Sequence, residues 1–385
     1  MVLLTDEDSG ITNGTVEILH DTIKAAHENN YKVDLVTPRI DPLVNLLNGY
    51  VTEVEFIHSA VGKKAVGKNF VKAYRIFKRL KPDLVHFHCP NYRWGLDVVC
   101  GAGLAGVPAI IRTEQNPMMA MPEFPVRILL WFSDRTVSKF IYNCIGNRRR
   151  FENFLPYRQD RGSVIVNCIN PEDLADLEED STTYQSLREE FGFPRDCRIA
   201  LFAAGYFGLY HEDFRRPLYP ILDAFKRLLD DQERVNLAKQ WRLLVLGEGD
   251  QRASSIVRKM NLGNYVHFAG LRSDFHRILK YSDLVVSASH FEGSALTTFK
   301  AWALGVPILS TKVDGLSDVI GEENFEKMMV DHGNIDAYSN AWYEFMIDDP
   351  VRNSVHKEAG KIVLKNYTTS QLKARYLRLY QKFLG

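Results

Sequence analysis

Cysteine, net charge and long apolar runs are what this sequence has little of, and each shortage excludes something. Its 385 residues carry five cysteines, Cys89, Cys100, Cys144, Cys168 and Cys197, an odd and scattered set without a CxxC pair. They build neither a disulfide framework nor a cysteine zinc site, so a reducing compartment is expected. No apolar run reaches the about 20 residues of a membrane-spanning helix, and the first residues show no signal pattern, which predicts a cytoplasmic protein. Lysine and arginine total 48, as do aspartate and glutamate. Without a basic surplus, nucleic acid is not an expected partner. No G-x-G-x-x-G follows a strand, so the dinucleotide fingerprint is missing. The pair His86 and His88 lacks a third ligand, and no metal or cofactor is expected.

What is present is the balance of a soluble globular protein, 45% apolar and 25% charged, over a length that suits two domains better than one core. Strand and helix patterns alternate, twice over. Val2 to Leu4 reads as a strand, followed by a loop containing Gly10 and Gly14, a helix from Thr15 to Glu28, and the strand YKVDLVTP. Pro82 to His88 and the run VPAIIRTEQN are further strands. Carboxyl ends of strands in an open parallel sheet border the ligand crevice, which makes His88, Gln115 and Asn116 candidates. His86, on the same face as His88, reads as a hydrogen-bonded packing residue. Lys63 to Lys81 is a basic amphipathic helix with Val66, Phe70, Tyr74, Phe77 and Leu80 on one stripe. It either covers the sheet or lies on an anionic membrane; one stripe cannot face both. Met118 to Phe132 is apolar and proline-broken, and either lines a cleft or packs beneath the sheet. The polar, acidic stretch 171–195 reads as an interdomain linker. A second α/β pattern starts at Ile199, and a final helix carries Leu372, Tyr376, Leu379 and Phe383 on one stripe.

The most informative stretch is Asp283 to Pro307. An apolar strand leads through His290 to Gly293 into a helix, with Ser294 as its expected cap, Gly305 as its stop and Pro307 beyond. Backbone N–H groups near Ala295, Leu296 and Thr297 have no partner within such a helix, and a terminus of this kind binds anions. Glu292 sits beside it. A carboxylate repels phosphate but accepts hydrogen bonds from hydroxyls, so a sugar phosphate satisfies both halves.

The run FEG, a helix, then ALGVPILSTKVDG resembles the donor-site signature of GT-B glycosyltransferases, in particular the retaining family GT4 (group 1). The resemblance implies an α/β fold of two doubly wound Rossmann-like domains facing a cleft: an acceptor domain at 1–170, the linker at 171–195, a donor domain at 196–365, and a last helix, 366–385, crossing back to the first domain. It implies transfer of a sugar from a nucleotide-diphosphate sugar to a hydroxyl of a glycan, glycoprotein or lipid-linked acceptor, with Glu292 and His88 as catalytic residues. Gly10 and Gly14 match the glycine loop, Gly247 a G-x-G turn, and Leu271 and Arg272 the loop that reads the base. Gly293, Ser294, Ala295, Leu296 and Thr297 would hold phosphate. Gln115 and Asn116 fall on the acceptor side. The chain departs from the family pattern at Lys300, where a second Glu contacts the ribose, at Gln115, where His is common, and at Tyr206, where an Arg is usual. Arg216 matches the family's phosphate-binding Lys, and Arg215 or His211 could supply the missing cation. These departures leave two other readings, a catalytically silent nucleotide or glycan binder and a sugar-nucleotide epimerase.

Overall fold

The computed structural model of the chain describes residues 2–5, 14–37, 41–57, 66–89, 92–175, 181–209, 216–293, 295–347 and 350–385. It divides into two units, Met1–Cys168 with Thr369–Gly385, and Ile169–Thr368. The first unit holds strands β1 (Val2–Thr5), β2 (Asp34–Thr37), β3 (Glu53–Phe56), β4 (Leu84–Cys89), β5 (Ala109–Glu114), β6 (Lys139–Tyr142) and β7 (Gly162–Val164), all parallel, in the order β3-β2-β1-β4-β5-β6-β7. Every residue of β4 and β5 is buried, as strands covered on both faces must be. The strand order reverses between β1 and β4, the point where ligands bind in sheets of this kind.

The helices that position the first unit's surfaces are α1 (Gly14–Glu28), α2 (Val66–Leu80), α3 (Leu96–Leu104) and α4 (Phe124–Thr136). Ala73, Ile76 and Phe77 of α2 join the core, while Lys72, Arg75 and Lys78 face water. The buried face runs through Asn69, Ala73, Ile76 and Phe77 with Leu80 against it, whereas Phe70 and Tyr74 of the expected stripe are only partly buried, and α2 covers the fold while its basic residues face water. Its crossing with α3 needs Gly101, where a Cβ would lie 2.8 Å from Ala73 Cβ and 3.0 Å from the Phe70 carbonyl oxygen. At the sheet edge, Glu53 and Glu55 of β3 both pair with Arg79 of α2, charges that also blunt the edge against further pairing.

A wholly buried ionic network lies under β5 and β6. Arg158 donates Nε and Nη2 to the two carboxylate oxygens of Asp134 (2.7 and 2.8 Å) and Nη1 to Glu114 Oε1 (2.9 Å). Arg112 Nε shares that same Glu114 oxygen at 2.9 Å. Burial by itself would depress the Arg158 pKa; the fields of Asp134 and Glu114 outweigh it and raise the pKa.

The second unit has strands β8 (Arg198–Phe207), β9 (Trp241–Gly249), β10 (Val266–Gly270), β11 (Leu284–Ser287) and β12 (Ile308–Ser310), again all parallel, in the order β10-β9-β8-β11-β12. This repeats the order of the first unit's first five strands, with its reversal between β8 and β11. The stretch 171–195 is not a bare linker. It contains α5 (Ser181–Glu190), whose buried Arg188 donates to Asp283 Oδ2 (3.0 Å) and the Cys197 carbonyl (2.8 Å). Asp283, the residue before β11, also accepts from Tyr184 Oη and the Ile199 amide (2.9 and 2.7 Å). One buried guanidinium therefore docks a segment whose composition is that of a connector. The last helix, α7 (Thr369–Leu384, counting Leu296–Ala303 below as α6), belongs to the first unit: Leu372, Tyr376, Leu379 and Tyr380 are buried and Thr369 Oγ1 donates to Asp21 on α1 (3.2 Å).

Removing one member of the buried network strands the others. Asp134→Ala is expected to cost about 3–5 kcal/mol of stability in urea unfolding; a loss below about 1 kcal/mol would show that the network is not held as a unit.

Candidate active site

The residues singled out in the second unit meet at the reversal between β8 and β11, which pair through Leu284 with Ala200 and Val285 with Leu201. Beyond β11 the chain turns through Ala288 to Gly293. The turn is tied down from behind: Thr311 Oγ1 donates to the Ser289 carbonyl (2.6 Å), and Tyr338 Oη to the carbonyls of Ser287 and Leu309 (3.0 and 3.1 Å). Glu292, at its end, is buried. A buried carboxylate requires partners, and Arg216 supplies a two-pronged one, Nε to Oε1 at 2.7 Å and Nη2 to Oε2 at 3.2 Å. Ser289 Oγ donates to Oε1 as well (3.0 Å) and lies 3.0 Å from Ser287 Oγ.

Arg216 reaches this position because the segment after β8 returns beside its own start. Gly208 N donates to the Arg216 carbonyl (3.3 Å), Leu218 N to Gly208 (2.8 Å) and Tyr219 N to Leu209 (2.8 Å), and Gly208 forms a parallel bridge with Pro217. The side chain is half-buried. Burial would depress its pKa, but the charge of Glu292 and its hydrogen bond raise it on balance, so the guanidinium is charged at every accessible pH.

Immediately after Gly293 comes α6 (Leu296–Ala303). Its N-cap is Ala295, with no side-chain cap, so the expected Ser294 cap and the expected start at Ala295 are both displaced by one position. The reason lies in Ala295 itself, whose backbone (φ −73°, ψ 74°) is not helical. The stop matches expectation: Gly305 has φ +74°, Gly305 N donates to Trp302 O (3.0 Å) and Val306 N to Ala301 O (2.8 Å), the paired bonds of a Schellman end. Lys300, eight residues beyond Glu292, is buried within α6. Ser294, Gly10, Arg215 and His211 lie outside the described residues, as does the side chain of Tyr206.

Other expected donor residues are placed for structural reasons. Gly247 has φ +119°, and a Cβ there would lie 1.6 Å from the Ala204 carbonyl oxygen, so the close approach of β9 to β8 requires glycine. Leu271 and Arg272 follow β10, two strands from β8. Leu271 is exposed, whereas Arg272 is clamped by Asp274 (2.8 Å) and Glu190 (2.6 Å). The hydrogen bond from Arg272, with that from Arg277, pulls the Asp274 carboxyl down to about 2.

In the first unit, Gly14 opens α1, and His88, near the end of β4, is fully buried against His86, ring centroids 4.2 Å apart. His86 is the packing residue: its Nδ1 lies 2.8 Å from Tyr380 Oη and its Nε2 2.7 Å from Thr113 Oγ1. His88 Nδ1 faces Gln115 Nε2 at 3.5 Å, and Gln115 Oε1 accepts from Asn167 (3.2 Å). Nε2 of His88 meets no hydrogen-bond partner among the described residues. Asn116, next along, is partly buried. Asn167, in the run VIVNCIN that resembles the family's strand and N-G-I-D turn, and Ser289, three residues before Glu292, are not among the expected site residues. Among the described residues no group of three or more His, Cys, Asp or Glu side chains is placed to hold a metal ion, and no helix is long and apolar enough to cross a membrane.

Comparison with known proteins gives this geometry a family. The model for glycosyl transferases group 1 matches residues 219–362, and that for Glycosyltransferase Family 4 matches residues 12–173. The chain belongs to this family and is a GT-B glycosyltransferase. It is 24% identical over 311 residues to the UDP-Gal:alpha-D-GlcNAc-diphosphoundecaprenol alpha-1,3-galactosyltransferase of Escherichia coli, covering 78% of this chain and 75% of that one. It is 20% identical over 204 residues to the N-acetyl-alpha-D-glucosaminyl L-malate synthase of Bacillus anthracis, covering 51% and 49%. Among solved structures, Anabaena Alr3699/HepE in complex with UDP-glucose shares the fold, with a TM-score of 0.77 at 16% identity over 99% of this chain and 100% of that one.

Burial holds His88 neutral, pushed down to about 3, and lowers His86 well below its ordinary value, with the neighbouring His88 adding to burial. In the unfolded chain both titrate near 6.5, so the unfolded state takes up protons that the native state refuses. Stability therefore falls as pH drops below about 6.5, by up to about 1.4 kcal/mol per pH unit for each histidine. Urea unfolding of the wild-type chain and of His88→Asn between pH 7 and pH 5 is expected to show a shallower loss in the variant; equal slopes would mean that His88 is protonated in the fold.

Proposed function

We propose that this glycosyltransferase moves a sugar from a nucleotide-diphosphate sugar, with retention of anomeric configuration, to a hydroxyl of a glycan or lipid-linked acceptor in the cytoplasm. The observation that carries the reading is the Arg216–Glu292 pair set directly before the first turn of α6. When the anomeric carbon–oxygen bond breaks, the leaving nucleoside diphosphate gains negative charge, and fixed positive groups aimed at it lower the barrier. Arg216 has five N–H donors, and Glu292 occupies two of them. The others are assigned to phosphate oxygens. The amides of Ala295, Leu296 and Thr297 and the positive end of the helix dipole add to this field. Glu292, neutralised by Arg216, is assigned to accept hydrogen bonds from the sugar's hydroxyls.

Lys300 is assigned to the nucleotide's ribose side, where it can donate but cannot accept, and Leu271 and Arg272 contribute backbone to the base. In the first unit His88, held neutral by burial, is assigned to the acceptor side, as are Gln115 and Asn116. The reading uses no metal, because arginine and helix terminus carry the charge. The donor class agrees with the UDP-Gal in the name of the Escherichia coli relative and the UDP-glucose in the Anabaena complex. The relative's diphosphoundecaprenol acceptor supports the lipid-linked choice.

The test is turnover. Purified protein with a panel of nucleotide sugars and a diphosphate-lipid acceptor is expected to release nucleoside diphosphate, and Glu292→Ala and Arg216→Ala to lower the rate by about 10²–10³-fold while remaining folded. Equal rates in wild type and both variants would remove the pair from the chemistry, and binding without turnover would favour a silent binding protein.

A further inference from the structure

Helix α6 is only eight residues long, and the end proposed to receive phosphate has no side-chain cap to fix it. What fixes it lies at the other end. Trp302, in its last turn, is buried and is held at two points by one element, the helix Pro350–Asn366. The indole Nε1 donates to Nδ1 of buried His356 at 2.9 Å. The Trp302 carbonyl, which also accepts the Gly305 amide (3.0 Å), faces Gly360 so closely that a Cβ there would lie 2.3 Å from its oxygen. An indole N–H only donates, so Nδ1 of His356 accepts and the proton of its neutral imidazole sits on Nε2. The His356 ring also meets Phe345, centroids 5.6 Å apart. On α6 itself, Phe299 stacks along Trp302 (6.3 Å, 19° between planes) and packs on Tyr367 (5.4 Å), the residue that follows the bracing helix. The two contacts on Trp302 differ in kind, one a directed hydrogen bond and the other a backbone approach that requires glycine. Sliding or turning α6 breaks one of them.

We propose that His356 and Gly360 are positioning residues for the donor site: through Trp302 they set the placement of α6, and with it the amides of Ala295, Leu296 and Thr297. The inference rests on the reading of α6 as the helix that receives the diphosphate. Both act from a distance, because Trp302 lies about 9 Å along the axis from Leu296 at the usual helical rise. A two-turn helix with its backbone bonds intact moves as a rod, so a displacement at Trp302 is carried to the first turn. Stabilisation of a leaving diphosphate depends on donors held at a fixed place, and a misplacement of about 1 Å costs on the order of 10²-fold. Plain core packing would fill the place of His356 with an apolar side chain. Burying an imidazole against an indole N–H desolvates two polar groups, and what the pair supplies instead is direction, which apolar contact lacks.

The experiment is calorimetric titration of the full chain with UDP, GDP and dTDP, repeated on variants with the nucleotide that the wild type binds most tightly. His356→Phe keeps a ring but strands the indole N–H, and Gly360→Ala presses a methyl group on the Trp302 carbonyl. Each is expected to raise Kd at least about tenfold. His356→Asn, whose Oδ1 falls near the place of Nδ1, restores an acceptor and is expected to stay within about threefold of wild type. Leu228→Ala, a buried truncation in the last turn of the helix Tyr219–Asp230 and outside the residues assigned to the donor, serves as the control. It is expected to lower the melting temperature without moving Kd, which separates placement of α6 from loss of stability. Gly360→Ala, which leaves the hydrogen-bonding groups in place, carries the test if His356→Phe does not fold. Unchanged Kd in His356→Phe and Gly360→Ala would overturn this inference and leave the donor reading standing. A His356→Asn variant as weak as His356→Phe would overturn it too, since bulk rather than the hydrogen bond would then decide. A wild type that binds none of the three nucleotides would overturn both readings.

Discussion

A buried carboxylate must be neutralised, and in this protein the neutralisation of Glu292 by Arg216 organises the donor half. The two residues are 76 positions apart and come from segments following adjacent strands of the sheet. Their contact depends on β8 and β11 being neighbours at the reversal of strand order. It also depends on the closure of the segment from Gly208 to Pro217, which returns Arg216 to the foot of its strand. Below the pair, Arg188 holds Asp283 at the entry to β11; above it, Tyr338 and Thr311 pin the turn. Glu292 is thus held at both ends of its strand-and-turn, and α6 starts three residues after Gly293. A rigid frame of this sort places charge before a ligand arrives, which is what electrostatic catalysis needs.

The two units use the same strand order but meet their polar obligations differently. In the second unit the buried charges serve strand ends near the proposed donor position. In the first, the Arg112–Glu114–Asp134–Arg158 network is buried and neutralises Asp134 on the inward side of α4. The paired histidines are likewise divided: His86 is consumed by Tyr380 and Thr113 and helps to seat the final helix on the first unit, while Nε2 of His88 meets no hydrogen-bond partner among the described residues. Two histidines two residues apart on one strand therefore have different surroundings, and only His86 is tied to the final helix by a hydrogen bond.

Much of this was legible in the sequence where local rules decide. Doubly covered parallel strands read as short apolar runs, Gly305 marked a helix end that has the bonds of a Schellman motif, and the stripe of the last helix marked a buried face. The resemblance carried by FEG and ALGVPILSTKVDG led to the family. What escaped depends on distant partners. The stretch 171–195 looked like a linker because the guanidinium that docks it, Arg188, finds its carboxylate at Asp283, 95 residues on. Which side of α4 faces in was hidden for the same reason: Phe124, Ile128 and Trp131 have the spacing of a core stripe, yet the inner side is Leu130, with Val126 and Leu129 against the core, and Asp134, held by Arg158 24 residues on. Arg216 and Glu292 were each chosen as ligand contacts, but that each is the other's partner could not be read from either.

The central claim is that the Arg216–Glu292 pair and the start of α6 form one anion-receiving unit. Its most direct measurement is a crystal structure with a bound nucleotide-diphosphate sugar. The account predicts diphosphate oxygens within hydrogen-bonding distance of Arg216 and of the amides at Ala295 to Thr297, with sugar hydroxyls on the Glu292 carboxylate. A diphosphate bound elsewhere, with the pair still closed on itself, would contradict it.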